Sequence, residues 1–211
     1  MRVLKVQGKG RVTTEPDIVT LSFQVETRAM DYAACLTDLN SRTEELRAGM
    51  KAAGINRASI KTTSFGVRAE TQYKQGRHIF SGYSASHHLH IELPIDKELL
   101  NEILRHIAHG HSGAVINITF SVKDRDALRK RVLAEAVRVA QTNAQVLADT
   151  AGIKIGRLLQ MDYGWSEVRI YNHDVSMVCE AGPAMPRYAA DIEPEDVATE
   201  DTVTMVYEIN E

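Results

Sequence analysis

The sequence predicts an α+β fold, with a mainly antiparallel β-sheet and helices on one face of it. Segments in which polar and apolar residues alternate recur along the chain, and other segments carry apolar residues at three- and four-residue steps. In addition, the first strand-like segments come in pairs on either side of a helix-like segment. The predicted order of elements is therefore ββ-α-ββ-α-β-α-β-(insertion)-β.

The first pair of strands lies within residues 3–27, where two extended segments meet at Glu15-Pro16-Asp17. Proline cannot donate a backbone hydrogen bond to a neighbouring strand, and it suits a turn. The second segment has one polar and one apolar face. Its alternating apolar residues are Val19, Leu21, Phe23 and Val25. We therefore expect a β-hairpin whose apolar face is covered by the rest of the chain.

The remaining elements follow from the same two periods and from residues that suit helix ends. Asp31 fits the start of a helix, whereas Gly54 and Gly152 fit helix ends. The predicted helices cover about residues 30–53, 96–109 and 124–151. The predicted strands cover about residues 58–72 and 80–93 on either side of a polar hairpin tip at 73–79, then 114–122, 155–163 and a last strand after residue 190.

Length and composition indicate an ordinary globular protein. The 211 residues are 44% hydrophobic and 25% charged, and they favour one domain, residues 1–211. The net charge of −3 argues against binding of nucleic acid by bulk electrostatics. No stretch approaches the ~20 apolar residues that cross a bilayer. Residues 1–12 lack the apolar stretch of a signal peptide, so the chain reads as cytoplasmic, or as periplasmic if a leader has been removed.

Residues 164–190 show neither the alternation of a strand nor the three- and four-residue spacing of a helix, and glycines and prolines interrupt them. A structureless loop of this length is unusual inside a compact domain, so we interpret the segment as an extended insertion. Because it also contains several apolar residues, we expect it to contribute contacts between the subunits of a homo-oligomer.

Several short motifs follow one another along nearly the whole chain. They are Val6-Gln-Gly8-Lys-Gly10, Pro16-Asp17, Ala53-Gly54-Ile55, Thr62-Thr63 with Tyr73 ten residues later, Gly82-Tyr83-Ser-Ala85, Phe120 before Asp124, Gly152-Ile-Lys-Ile-Gly156 and Ile192-x-Pro194. In this order they resemble the SIMPL-domain family, a bacterial family of unknown function. The resemblance implies an exported protein, periplasmic or associated with the outer membrane. Some members of the family are linked to oxidative-stress tolerance, and one forms a large ring-like oligomer. The resemblance therefore also implies that this chain has such a role or forms such an oligomer.

Histidines form the first candidate site. His88 and His90 lie on one face of a predicted strand, with Glu92 next along it, and side chains two apart on a strand can share one zinc ion. His106, His109 and His111, on the following helix and its exit, are candidates for a third ligand. The simpler interpretation is the polar outer face of a half-exposed sheet, because the spacing matches no known metal motif.

The motif Gly8-Lys-Gly10 lacks the following helix and the Gly-Lys-Ser/Thr ending of a phosphate-binding loop. We interpret its glycines as marks of a bulged strand, or of a strand that another part of the chain approaches closely.

Basic residues crowd the first half of the longest predicted helix. We interpret them as a solvated face that pairs in part with Asp126 and Glu135. Pairing between molecules with the acidic segment 191–201 is the alternative. The residues are Arg125, Arg129, Lys130, Arg131 and Arg138.

The two cysteines, Cys35 and Cys179, lie far apart and show no metal spacing. We expect Cys35 to be a small buried side chain, and Cys179 to lie in the insertion. Since no nucleophile–base set can be argued from spacing and the family has no agreed catalytic residue, no catalytic residue and no cofactor are predicted. The sequence favours a non-enzymatic, self-assembling protein of the cell envelope or of stress protection. The alternative is a metal- or small-ligand-binding module that uses the face of His88 and His90.

Overall fold

The structure is a computed structural model that describes residues 2–74, 76–164, 169–171, 175–178 and 193–210. In chain order the elements are β1 (Val3–Thr14), β2 (Ile18–Ala29), α1 (Tyr32–Ala52), β3 (Lys61–Lys74), β4 (Arg77–Pro94), α2 (Lys97–His109), β5 (Val115–Ser121), α3 (Arg125–Ala151), β6 (Lys154–Tyr163), β7 (Arg169–Tyr171), β8 (Val175–Val178) and β9 (Val197–Asn210). The predicted fold class is confirmed. The short strands β7 and β8 are the part of the insertion that the structure describes; the rest of residues 164–190, apart from Gly164, lies outside the described residues.

The chain forms two compact units. The first takes its described residues from Met1–Pro16, Ser121–Asn172 and Glu195–Glu211, and the second takes them from Asp17–Phe120 and His173–Pro194. Each unit has its own antiparallel pairing and its own buried core. That residues 1–211 act as one domain stays a prediction.

The predicted hairpin of β1 and β2 is wrong, because the two strands belong to different sheets. β1 pairs along its whole length with β9, and β2 pairs along its whole length with β4, both antiparallel. The alternation of residues shows which side chains face a core, but it does not identify the neighbouring strand. The connection through Pro16 therefore joins two sheets instead of closing a hairpin.

The first unit has the strand order β1-β9-β6, with β7 also paired to β9, and α3 packs on β1 and β9. The buried residues of α3 recur every four positions, and most of them are alanines. These small side chains bring the helix so close that a Cβ atom on Gly8 would lie 2.1 Å from the carbonyl oxygen of Ala136, and one on Gly10 would lie 2.1 Å from that of Val132. The interpretation of these two glycines as closely approached strand positions is thus confirmed.

The second unit has the strand order β3-β4-β2-β5-β8. The helices α1 and α2 cover one face of this sheet, where they share a core with the inward residues of β2, β4 and β5. The Asp31 carboxylate accepts a hydrogen bond from the backbone N–H of Ala34, which caps α1 as predicted. The other face of the sheet, called the outer face below, carries polar side chains.

The polar hairpin tip is shorter than predicted. Tyr73 pairs with His78 and Gln72 pairs with Ile79, so the two strands continue almost to Gly76. The sequence did not indicate this continuation, because both strands are exposed near the tip and their polar and apolar residues do not alternate there.

Candidate functional site

The outer face of the second unit carries the histidines that the sequence singled out. Strand β4 lies between β2 and β3, and its residues alternate, so that His87 points into the core while His88, His90 and Glu92 share the outer face. Both outer histidines are half-buried and Glu92 is exposed. The sequence therefore predicted correctly which side chains share this face.

The histidines of α2 that were candidates for a third ligand do not lie near His88 and His90. Because α2 packs on the apolar face of the same sheet, His106 and His109 lie on the side away from His88 and His90. His106 approaches Glu102 at 3.7 Å, and a ring nitrogen of His109 lies 2.7 Å from the carbonyl oxygen of Arg105. Within the described residues, no three histidine, cysteine or acidic side chains are grouped closely enough to hold a metal ion.

A depression lies beside His88 on the outer face, with a cavity volume of about 320 Å³. It is centred on Ser86, which pairs with Glu26 of β2 on one side and with Gly66 of β3 on the other. We call it the Ser86 depression. Its lining consists of Glu26, Gly66, Val67, Arg68, Ser84, Ser86 and His88.

Opposite charges stand on the two sides of the Ser86 depression. On the β3 side, the Arg68 Nε donates to the Glu70 carboxylate at 2.7 Å, and this hydrogen bond raises the pKa of the guanidinium above its ordinary value. On the β2 side, the Glu26 carboxylate accepts a hydrogen bond from the side-chain amide of Gln24 at 2.7 Å. Sequence reasoning missed this site, because it requires the pairing of β4 with β2, which is separated from it in the chain by α1 and β3.

His87 also has a defined environment, and sequence reasoning assigned it no role. It is buried, and its ring nitrogens lie 3.4 Å from the Thr43 hydroxyl of α1 and 2.9 Å from the Thr62 hydroxyl of β3. Phe65 packs edge-on at 5.3 Å between ring centres. Burial lowers the pKa of His87, and the charges of Arg47 and His88 lower it further. A neutral ring that ties α1 to two strands is a structural group.

Two of the basic residues of α3 make polar contacts within the first unit. The Arg129 guanidinium donates to the Tyr163 hydroxyl at 2.7 Å, and that hydroxyl donates to the buried Asp201 carboxylate at 3.2 Å. Arg138 donates to Glu135 at 2.9 Å. The predicted pairing is therefore confirmed for Arg138 with Glu135, whereas Arg129 reaches an acidic group through the Tyr163 hydroxyl. Pairing with Asp126 and pairing between molecules stay predictions.

Cys35 is fully buried beside Thr27, as predicted, whereas Cys179 lies outside the described residues. None of the helices in the described part of the chain is both long enough and apolar enough to span a membrane.

Comparisons with known proteins agree with the motifs. The sequence model of the family described as SIMPL, protein of unknown function (DUF541), matches residues 4–207. The uncharacterized protein YggE of Edwardsiella ictaluri is 26% identical over 158 residues, which are 74% of this chain and 65% of that protein. The 26 kDa periplasmic immunogenic protein of Brucella melitensis is 26% identical over 167 residues, 75% of this chain and 65% of that protein. The chain thus matches less than two thirds of the length of these curated relatives.

Proposed function

Because this chain belongs to the SIMPL family of proteins of unknown function, we propose that it is a non-enzymatic protein that assembles with further copies of itself in the bacterial cell envelope. A periplasmic relative supports the location. A role in protection against oxidative stress is part of the same proposal. Its mechanism would be contact between exposed strand edges and apolar surface, without a chemical step.

One observation carries the proposal: β3 is a long edge strand beside exposed apolar side chains. It has 14 residues, and among the described residues it pairs with β4 alone. An open edge offers backbone donors and acceptors to a further strand, and native proteins usually block such edges. We therefore expect β3 to pair with a strand of a second copy.

Apolar side chains at the end of the β3–β4 hairpin strengthen this expectation. Tyr73 and Met30 are 69% and 68% exposed. Phe80 and Tyr32 both pack against the ring of Tyr83, with ring centres 5.2 and 5.4 Å apart. Exposed apolar surface of this kind marks an interaction site. We call it the tip patch; its members are Met30, Tyr32, Tyr73 and Phe80.

The edge strand of the first unit is a poorer candidate. Within the described residues, β1 pairs with β9 alone, but its exposed positions include Lys5, Lys9 and Arg11. The charged side chains of β1 are all basic, although Lys9 and Arg11 pair with Glu200 of β9. On β3, by contrast, Arg68 pairs with Glu70 of the same strand. Charges of one sign on an edge strand oppose pairing with an identical strand. The contrast favours the β3 edge over the β1 edge as the assembly contact.

The mass of the particle in solution tests this proposal. Size-exclusion chromatography with light scattering, at tens of micromolar protein, is expected to give a multiple of the 23.5 kDa chain mass. A Tyr73→Lys/Phe80→Lys variant should shift toward the monomer, because it places charge in the tip patch. The matched control, Val146→Lys/Leu147→Lys, changes two exposed apolar residues on α3 and should keep the wild-type mass. A monomeric wild-type protein contradicts the proposal.

The second candidate is a metal- or small-ligand-binding module on the outer face. One observation favours it: the Nδ1 atom of His90 is buried and has no hydrogen-bond partner within the described part of the chain. Metal analysis of the purified protein and of a His88→Ala/His90→Ala variant tests the metal form. Absence of metal, or equal metal content in both proteins, rejects it.

A further inference from the structure

We propose that the Ser86 depression binds a small zwitterion, a molecule with one ammonium and one carboxylate group, of which a free amino acid is the simplest case. This inference does not depend on self-assembly, because it uses the outer face of the sheet and not the β3 edge or the tip patch. Three features carry it: the shape of the surface, an unexplained glycine, and the arrangement of charge.

The shape follows from three rows of paired residues across β2, β4 and β3. Ser86 and Gly66 leave the middle row low beside Glu26. The longer lining side chains in the rows on either side are those of His88 and Arg68. Neighbouring strands are ~4.8 Å apart, so the side chains of β2 and β3 face each other across ~10 Å. The rows are Gln24–His88–Ser64, Glu26–Ser86–Gly66 and Arg28–Ser84–Arg68.

Within the described residues, neither the backbone conformation nor a close contact requires glycine at position 66. Its backbone is not in the left-handed region, and no atom lies within 4 Å of the position that a Cβ would take. Glycine weakens the interior of a strand, and it often marks a place where a ligand or another backbone approaches closely. Gly8 and Gly10 are explained by such an approach within this chain. For Gly66 no described residue of the chain supplies the approaching group, which points to a ligand.

The charges around the depression match a molecule that carries both signs. Arg68 on the β3 side, next to the hydroxyl groups of Ser84 and Ser86, suits a carboxylate. Glu26 on the β2 side suits an ammonium group. The hydrogen bonds that these two side chains now make, to Glu70 and Gln24, lie at the exposed surface. Exposed polar pairs of this kind are weak, so a ligand can replace them.

Other ligand classes fit less well. Arg28 faces Arg68 across Ser84 but is not part of the lining. Within the depression, therefore, a simple anion would meet the carboxylate of Glu26, and a simple cation would meet the guanidinium of Arg68. An apolar ligand would leave the lining serines without partners. The cavity volume of about 320 Å³ lies at the lower end for small-molecule sites, which suits a ligand of amino-acid size.

Ligand-observed NMR by saturation transfer tests the proposal, and it works equally well if the protein assembles. The probes are glycine, L-alanine and β-alanine, with acetate and ethylammonium as molecules that carry only one of the two charges. At least one zwitterion should give a saturable signal in the millimolar range, whereas the single-charge probes should bind roughly tenfold more weakly or not at all. No saturable binding of any zwitterion, or acetate binding as tightly as the best zwitterion, overturns the proposal.

Substitutions then locate the site. Gly66→Val adds a side chain where the structure has open space, so the fold should tolerate it and binding should be lost. Glu26→Gln removes the partner of the ammonium group and should weaken binding roughly tenfold. The control is Thr20→Val, on the same outer face opposite Glu92, which should bind like the wild type. Unchanged binding by Gly66→Val, with its circular dichroism spectrum also unchanged, places the ligand elsewhere and overturns the proposal.

Discussion

The close packing of α3 on β1 predicts that Gly8→Ala strongly destabilises the protein. The added Cβ would lie 2.1 Å from the carbonyl oxygen of Ala136 and 2.3 Å from the backbone nitrogen of Ala140. Both atoms belong to the helix backbone, so no side chain can rotate away, and α3 itself has to move until these distances exceed 3.4 Å.

Such a displacement separates α3 from the alanine-lined core of the first unit. Overpacking of this kind costs ~3 kcal/mol, at the upper end of the usual range, because the contact is between two backbones. In a chain of this length that loss corresponds to a fall in melting temperature of roughly 6–12 °C. Urea unfolding and thermal unfolding, each followed by circular dichroism, measure the effect.

Gly66→Ala provides the matched control, since it is also a strand glycine replaced by alanine. Nothing lies within 4 Å of its new Cβ, so the free energy of unfolding should change by less than ~0.5 kcal/mol, or rise slightly. If Gly8→Ala is as stable as Gly66→Ala, the reasoning about the approach of α3 to β1 is refuted.

Three further predictions concern stability. Because the pKa of His87 is lowered in the fold, the unfolded chain binds more protons below about pH 6.5, so the urea midpoint should fall as the pH drops from 7 to 5. The fall should be shallower in His87→Gln, and equal pH dependence in both proteins would contradict this. Tyr163→Phe removes the hydroxyl between Arg129 and the buried Asp201 and should lower the free energy of unfolding by about 1–2 kcal/mol in urea titrations; an unchanged midpoint would argue against the network. Asp31→Ala removes the cap of α1 and should lower the free energy of unfolding by ~1 kcal/mol in the same assay. An unchanged free energy of unfolding would show that the cap does not stabilise the protein.

Periodicity in the sequence was sufficient to predict the helices and most strands, because burial of one face leaves a local signature. In α2 the spacing predicts a buried stripe of five residues, of which four are buried and Leu99 is half-buried; the four are Leu100, Ile103, Leu104 and Ile107. Strand partners leave no such signature. The partner of β1 is β9, almost the whole length of the chain away, and no local pattern distinguishes that pairing from a hairpin.

The same holds for the candidate site: features of a single strand could be predicted, and features that depend on strand pairing could not. The alternation in β4 predicted that His88 and His90 share a face, because alternation is a property of one strand. The Ser86 depression requires the register of three strands, which the sequence does not contain. One local signal was present: Gly66 lies inside a predicted strand, between Phe65 and Val67, and a glycine in that place often marks close approach by another group.

Hydrogen–deuterium exchange at two protein concentrations tests most directly whether the molecule assembles through β3. If β3 pairs with a strand of a second copy, the backbone amides of Lys61–Lys74 should gain protection as the concentration rises. The amides of β1, Val3–Thr14, serve as the internal reference and should exchange at the same rate at both concentrations. Exchange in β3 that does not change between dilute and concentrated protein would contradict the account.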